Sequence, residues 1–256
     1  MAIRETMDTD SSSGVVSGRN TVLEALQNPN TVQRLYLAKD SKAKGANEAV
    51  ALARDGRIPF DFVPQAKLNE LAGTREHQGI VAKISPIAYT PLDVCLAACP
   101  PQATLIALDQ IQHPKNFGMI VRTAAAAGAS GVLVPARGGA LLSAEVLRAS
   151  AGTLFRVPIV KCPNLGQALR HAQDAGFWVY GLASDAPETV FDARWPDRSV
   201  LVIGNETSGL RPGVRKACDA LVGIPIAAGV ESLNAAVAAG IALFQARRRV
   251  DPPAHP

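Results

Sequence analysis

Cysteine is scarce in this sequence of 256 residues, and the spacings that would make it chemically telling are missing. The four stand at Cys95, Cys99, Cys162 and Cys218, with no C-x-x-C pair, and the four histidines are scattered. No metal site is expected, nor a thioredoxin-like centre; free thiols in a reducing compartment are the simplest reading. No run approaches the roughly eighteen apolar residues that mark a membrane span. The N-terminal MAIRETMDTDSSSG carries no apolar signal segment, so the expectation is a soluble, cytoplasmic protein with no membrane partner. G-x-G-x-x-G is absent. Gly204-Asn-Glu-Thr-Ser-Gly209 opens like a phosphate loop, but Leu210-Arg211 stands where Lys-[Ser/Thr] is required. A dinucleotide oxidoreductase and a phosphate-loop NTPase both lose ground. There is no internal repeat.

What is present is an ordinary globular balance, 48% hydrophobic and 19% charged, with a net charge of +4. That surplus fits a polyanionic partner without demanding one. Along the chain, residues 1–14 are small and polar and read as a disordered tail. From 15 to 84 helices and strands interleave: GRNTVLEAL (helix), RLYLA (strand), Lys42 to Arg54 (helix), FDFV (strand), Gln65 to Ala72 (helix) and GIVAKI (strand). Between 85 and 103 lie Pro86, Pro91, Pro100 and Pro101, a density that marks a linker.

From 104 to about 250 a longer alternation follows, with 251–256 as a tail. TLIAL, GVLVP, RVPIV, FWVYGLA, SVLVI and LVGIPI are short apolar runs rich in β-branched residues, separated by Phe117–Ala127, Ser143–Ala149, Leu165–Ala175 and a segment near Arg211–Ala217. Runs that do not alternate suggest strands buried on both faces, and helices between them suggest parallel crossovers. The fold class is therefore α/β, with a parallel sheet flanked by helices behind a small α/β unit. A last helix from about Ser232 to Arg249 carries Leu233, Val237, Ile241 and Phe244 at helical spacing, a face expected to pack on the sheet.

Three blocks carry the chemistry. In LDQIQHPKNFGMIVRTAAAAGASGVLVP, Asn116 falls at a loop–helix junction and reads first as an N-cap, and Arg122 as a surface charge. In SVLVIGNETSGLRPG, Glu206 follows a strand and could cap the next helix. In LVGIPIAAGVESLNAAVAAGIALFQARRR, Ser232 opens the last helix as an N-cap ahead of Leu233 and Asn234.

Together the blocks resemble the three motifs of the SpoU (TrmH) branch of the SPOUT methyltransferases. The first is Asn116-Phe-Gly118-Met-Ile120-Val-Arg122-Thr-Ala124. The second is Gly204-Asn-Glu206-Thr-Ser-Gly209-Leu210, and the third Ile224-Pro225-Ile226 with Ser232-Leu233-Asn234. SGRNTVLEAL and HQGIVAKI resemble the L30e-like substrate-binding domain that precedes the catalytic domain in several members. The chain departs from the family pattern at His113, where Asp is usual, at Met119, at Ala228-Gly229, where the glycine is displaced, and at Ala235.

The resemblance implies an α/β-knot fold and a homodimer with its interface beside the active site. It implies transfer of a methyl group from S-adenosyl-L-methionine to a ribose 2′-hydroxyl in structured RNA, with a guanosine of 23S rRNA as the favoured target. The alternatives are a transfer RNA, or a catalytically silent RNA-binding protein on the same fold. Gly204, Ile224, Ile226 and Leu233 are the implied donor-binding residues; Asn116, Arg122, Glu206, Ser232 and Asn234 are the implied catalytic set. Arginine stays charged, so Arg122 suits orienting the hydroxyl and stabilising oxyanion charge better than accepting a proton. Glu206 would pair with Arg122 or fix its loop. Arg19, Asn20 and Lys115 are the foremost RNA-contact candidates, followed by Arg137, Arg148 and the run Arg247–Arg249.

Overall fold

A computed structural model describes residues 14–28, 31–39, 45–85 and 88–248. Of the tails expected at 1–14 and 251–256, residues 1–13 and 251–256 lie outside the described residues, as do Lys42 at the expected start of the second helix and Arg249 of the basic run. Gly14, expected in the tail, instead opens a strand because it pairs with Ile84. The chain divides into two compact units: residues up to Ala88 with Leu142–Arg148, and Tyr89–Leu141 with Ala149 onward. Among the described residues no helix is long and apolar enough to cross a membrane.

In the first unit a four-stranded mixed sheet has the order β1-β4-β2-β3. Strands β1 (Gly14–Ser17) and β2 (Val32–Ala38) run antiparallel to β4 (Ile80–Ile84), while β3 (Phe60–Val63) runs parallel to β2. Helices α1 (Arg19–Leu26), α2 (Ala46–Asp55) and α3 (Gln65–Ala72) alternate with these strands. Val16, Val22, Leu35, Leu68, Ile80 and Val81 form its dry interior. β1 was not expected, because its four residues GVVS gain strand character only from their pairing with β4. His77 is buried: its Nδ1 accepts the Gly79 amide at 3.0 Å, so the proton sits on Nε2, 2.9 Å from Asn69 Oδ1.

The second unit is a seven-stranded sheet in the order β7-β6-β5-β10-β8-β11-β9, every pairing parallel. Its strands are β5 (Ala103–Leu108), β6 (Gly131–Pro135), β7 (Ile159–Cys162), β8 (Trp178–Leu182), β9 (Glu188–Thr189), β10 (Arg198–Ile203) and β11 (Ala220–Gly223). β6 is buried along its whole length and β10 at five of six positions, as central strands covered on both faces must be. The short β9 was not anticipated, and the run LVGIPI ends as a strand at Gly223, leaving Ile224-Pro225-Ile226 as loop.

The segment expected as a linker is partly structured. Helix α4 (Leu92–Ala97) begins after Pro91, and its Cys95 and Leu96 are buried in the core of the second unit beside Leu105 and Val160. Pro91 precedes a helix here instead of interrupting one. Helices α5 (Pro114–Ala126), α7 (Leu165–Asp174), α8 (Pro212–Arg215) and α9 (Ala235–Arg247) follow in this unit, while α6 (Ala144–Ala149) falls, up to Arg148, in the first.

The face expected to seat α9 on the sheet does not do so. Leu233 lies before the helix, and Val237 and Phe244 are each 48% exposed. The buried face is Ala235, Ala236, Ala238, Ala239, Ala242, Leu243 and Ala246, and it packs against α5 and β10. Alanines bring two helix backbones close, and at Gly240 even an added Cβ would meet Thr123 Cγ2 at 3.5 Å. Close backbone approach wins over side-chain size here, so Val237 and Phe244 face outward, Ile241 is half-buried and Leu243 is the large residue on the packed face.

Candidate active site

The strand order reverses beside β5, whose neighbours are β6 on one side and β10 on the other. In open parallel sheets such a switch point opens a crevice at the carboxyl ends of the strands. To one side of that point, the loops after β8, β10 and β11 line a cleft of about 740 Å³, within the range of small-molecule sites. Leu182, Ala183, Ile203, Ile224, Leu233 and Ala235 give it apolar walls, while Glu206, Ser208, Glu231 and Ser232 supply polar groups. Gly204, Ile224, Ile226 and Leu233 all lie in this lining.

Gly204 sits where the following turn folds back on it. An added Cβ would lie 2.4 Å from the Gly209 carbonyl carbon and 2.6 Å from Leu210 N, closer than any side chain tolerates. The turn itself is closed by paired bonds, Asn205 N to Gly209 O and Gly209 N to Asn205 O, both 3.0 Å. Asn205 Oδ1 accepts the amides of Thr207 and Ser208, each at 3.0 Å.

Beside the cleft runs a directed chain of side-chain amides. Asn234 caps α9, its Oδ1 accepting the amides of Ala236 at 2.9 Å and Val237 at 3.4 Å. Its Nδ2 donates to Asn116 Oδ1 at 3.1 Å, and Asn116 Nδ2 donates to Glu206 Oε1 at 2.7 Å. Both amides are thereby fixed in orientation, and the chain carries the positive end of α9 toward the Glu206 carboxylate.

This geometry corrects three expectations. Asn116 is the third residue of α5 and not its cap; His113 holds the cap position, with Pro114 first in the helix and no side-chain capping bond. Ser232 does not open the last helix either. It is exposed in the loop lining the cleft, and the cap is Asn234, because the loop runs three residues beyond Glu231 before helical geometry begins. Glu206 does not pair with Arg122. Six residues along a helix rotate a side chain by about 600°, leaving it some 120° from Asn116. Arg122 is exposed, and among the described residues its side chain has neither ion pair nor hydrogen bond.

Of the RNA-contact candidates, Asn20 and Lys115 are exposed, while Arg19 approaches Glu48 at 3.6 Å with both side chains substantially solvated. Two ion pairs near the cleft were not singled out from the sequence. Asp109, completely buried at the end of β5, accepts Arg211 N at 2.7 Å and Arg211 Nε at 2.6 Å. Asp185 and Arg215, both in the cleft wall, form a two-pronged pair at 3.0 and 2.9 Å, and the guanidinium holds the Asp185 carboxyl below its ordinary range. Only an Asp directly after an apolar strand, in Asp109, gave a signal that could have been read.

A loop-built cleft at the carboxyl ends of a parallel sheet's strands, in a chain that also carries a small mixed-sheet unit, defines a two-unit α/β protein of the ligand-at-strand-ends class. Two family models match: the SpoU rRNA methylase family over residues 103–244, and the RNA 2′-O ribose methyltransferase substrate-binding domain over 15–90. The chain belongs to the SpoU rRNA methylase family and is an RNA 2′-O-ribose methyltransferase. It is 41% identical over 237 residues to an uncharacterized tRNA/rRNA methyltransferase of Mycobacterium avium (strain 104), covering 91% of this chain and 77% of that one. It is similar to the SpoU methyltransferase AviRb from Streptomyces viridochromogenes in complex with AdoMet, with a TM-score of 0.78 and 28% identity over 92% of this chain and 90% of that one. An AdoMet-bound rRNA methyltransferase from Sinorhizobium meliloti gives a TM-score of 0.79 and 28% identity over 93% and 88%.

Proposed function

We propose that the chain transfers a methyl group from S-adenosylmethionine to a ribose 2′-hydroxyl of ribosomal RNA, with a guanosine of 23S rRNA as the favoured target. The observation that carries this reading is the cleft itself. Gly204, Ile224, Ile226 and Leu233 line it, and Glu206, at its edge, ends the amide chain from Asn234 through Asn116. The donor fits: the volume suits a nucleoside with an amino-acid tail, the apolar walls suit adenine, and Gly204, without a side chain, lets the turn at Gly209–Leu210 fold tightly against the cleft floor. The donor supplies an electrophilic methyl on a sulfonium.

The chain's own residues then position and polarise. Glu206, fixed by Asn116, holds the cleft edge at one orientation, and Ser232 adds a hydroxyl to the same wall. Arg122 is free to reach RNA; its guanidinium orients the 2′-hydroxyl and stabilises the negative charge that grows on that oxygen. A phosphate of the RNA, or water, takes the proton, since arginine cannot. Arg19, Asn20 and Lys115 contact the RNA backbone.

The active assembly is a homodimer. Met119, 46% exposed, lies one turn before Arg122 on α5, and Val237 and Phe244 share an exposed face of α9. A second copy covering these apolar residues brings Arg122 to the seam.

Calorimetry with S-adenosylmethionine tests the reading first, and no binding to the folded protein overturns it. Arg122→Ala is expected to keep donor binding and to lose methyl transfer by about a hundredfold or more, the range for removing one oxyanion-stabilising donor. Unchanged transfer would remove Arg122 from the mechanism. Mass mapping of ribosomal RNA from a strain lacking the protein identifies the target by its missing ribose methyl; an intact set redirects the reading to transfer RNA.

A further inference from the structure

We infer that Asp109 is a positioning residue for the donor cleft, setting the loop that carries Gly204 and Glu206 through Arg211. The inference rests on the methyl-transfer reading above. It starts from a carboxylate with no exposure at the carboxyl end of β5. Burying a charge is costly unless it is paired and hydrogen-bonded, and Asp109 is both: Arg211 N donates to one oxygen at 2.7 Å and Arg211 Nε to the other at 2.6 Å. The first of these bonds seizes backbone, so it fixes the main chain directly after Leu210, a cleft-lining residue.

A second fastening holds the other end of the same loop to the next residue of the β5 loop. Asn205 Nδ2 donates to Gln110 O at 2.9 Å. Gln110 itself stands at φ +63°, a left-handed conformation that a side-chain-bearing residue keeps only where its surroundings demand it. The loop from Gly204 to Arg211 is thus tied at both ends to Asp109 and Gln110. Between the ties lies Glu206, whose partner Asn116 follows six residues after Gln110 on the same β5–α5 segment. One short segment therefore sets both the height of the cleft wall and the place where Glu206 meets Asn116. Arg211, with its side chain 41% exposed, is held by this carboxylate rather than left free for RNA.

Asp109→Asn keeps the shape but removes the charge that grips the guanidinium, and Arg211→Ala removes the guanidinium while keeping the backbone amide. In both, amide hydrogen exchange over residues 204–211, measured without donor, is expected to quicken. The donor dissociation constant of the folded protein is expected to rise by about tenfold, with KM for RNA unchanged. Should Asp109→Asn fail to fold, Arg211→Ala carries the same expectation, because its side chain is partly solvated. A lowered Tm with donor affinity and loop exchange unchanged would reduce Asp109 to a stabilising residue and overturn the inference. If the native protein binds no donor, the methyl-transfer reading falls and takes this inference with it. Native binding that both variants retain in full overturns the inference alone.

Discussion

At the scale of single residues, the site is built from groups that each have an ordinary structural use. Asn234 caps a helix, Asn116 sits in a first turn, and Gly204 ends a strand. Their significance comes from meeting: Asn234 and Asn116 are 118 positions apart, and Asn116 and Glu206 are 90 apart. Gly204→Ala forces a Cβ against the backbone of Gly209 and Leu210. The expected result is a folded protein destabilised by about 1–3 kcal/mol, with donor affinity reduced tenfold or more; denaturant titration and calorimetry measure the two effects. His113 offers the opposite test. It occupies the α5 cap position at φ −82° and ψ 118° without a capping bond. His113→Asp supplies the missing acceptor and a negative charge at the helix start, and should raise stability by about 1 kcal/mol. A midpoint that does not move would show that the α5 amides are already satisfied.

At the scale of elements, α9 is the instructive case. Its apolar residues recur at helical spacing, yet the spacing of large residues points away from the core. The alanine face is the one that meets α5. Two kinds of substitution separate the faces. Ala239→Leu places three added carbons where exposure is nil, and is expected to cost about 1–3 kcal/mol by overpacking. Val237→Ser with Phe244→Ser, on the half-exposed face, should leave the unfolding midpoint at low protein concentration unchanged while shifting the proposed dimer toward monomer in sedimentation. A dimer that survives this pair would place the interface elsewhere. The six-residue α4 teaches the same lesson from the other side: Pro-rich surroundings read as a linker, but burial of Cys95 and Leu96 fastens the helix to the second unit.

At the scale of the whole molecule, the second unit's core has a pH signature. Burial pushes the Cys95 thiol up to about 11 and the Cys162 and Cys218 thiols up to about 12, from an ordinary 9.0. A thiol whose folded pKa is raised contributes stability that is complete below the unfolded value and is lost as pH climbs toward the folded one. Alkaline conditions above about pH 9 therefore draw the unfolded chain down in free energy while the folded thiols stay protonated. Denaturation midpoints measured from about pH 8 to pH 11 should fall more steeply for the native chain than for Cys162→Ala. Parallel curves would show that Cys162 ionises equally in both states. The same protonation leaves the buried thiols slow toward alkylating reagents at neutral pH.

Sequence by itself determined the α/β class, the two-part organisation and the three motif blocks. Each depends on local pattern: β-branched apolar runs, the helices between them, and residue types at fixed spacing. The motif resemblance groups Gly204, Ile224, Ile226 and Leu233, and these four line one cleft. Tertiary structure alone decided which neighbour each polar group answers to. Glu206 answers to Asn116 and not to Arg122, the α9 cap is Asn234 and not Ser232, and Asp109 is a buried anchor and not an ordinary loop carboxylate. The physical reason is that hydrogen bonds and buried charges are settled by distance and desolvation between segments far apart in sequence, and neither quantity has a local signature.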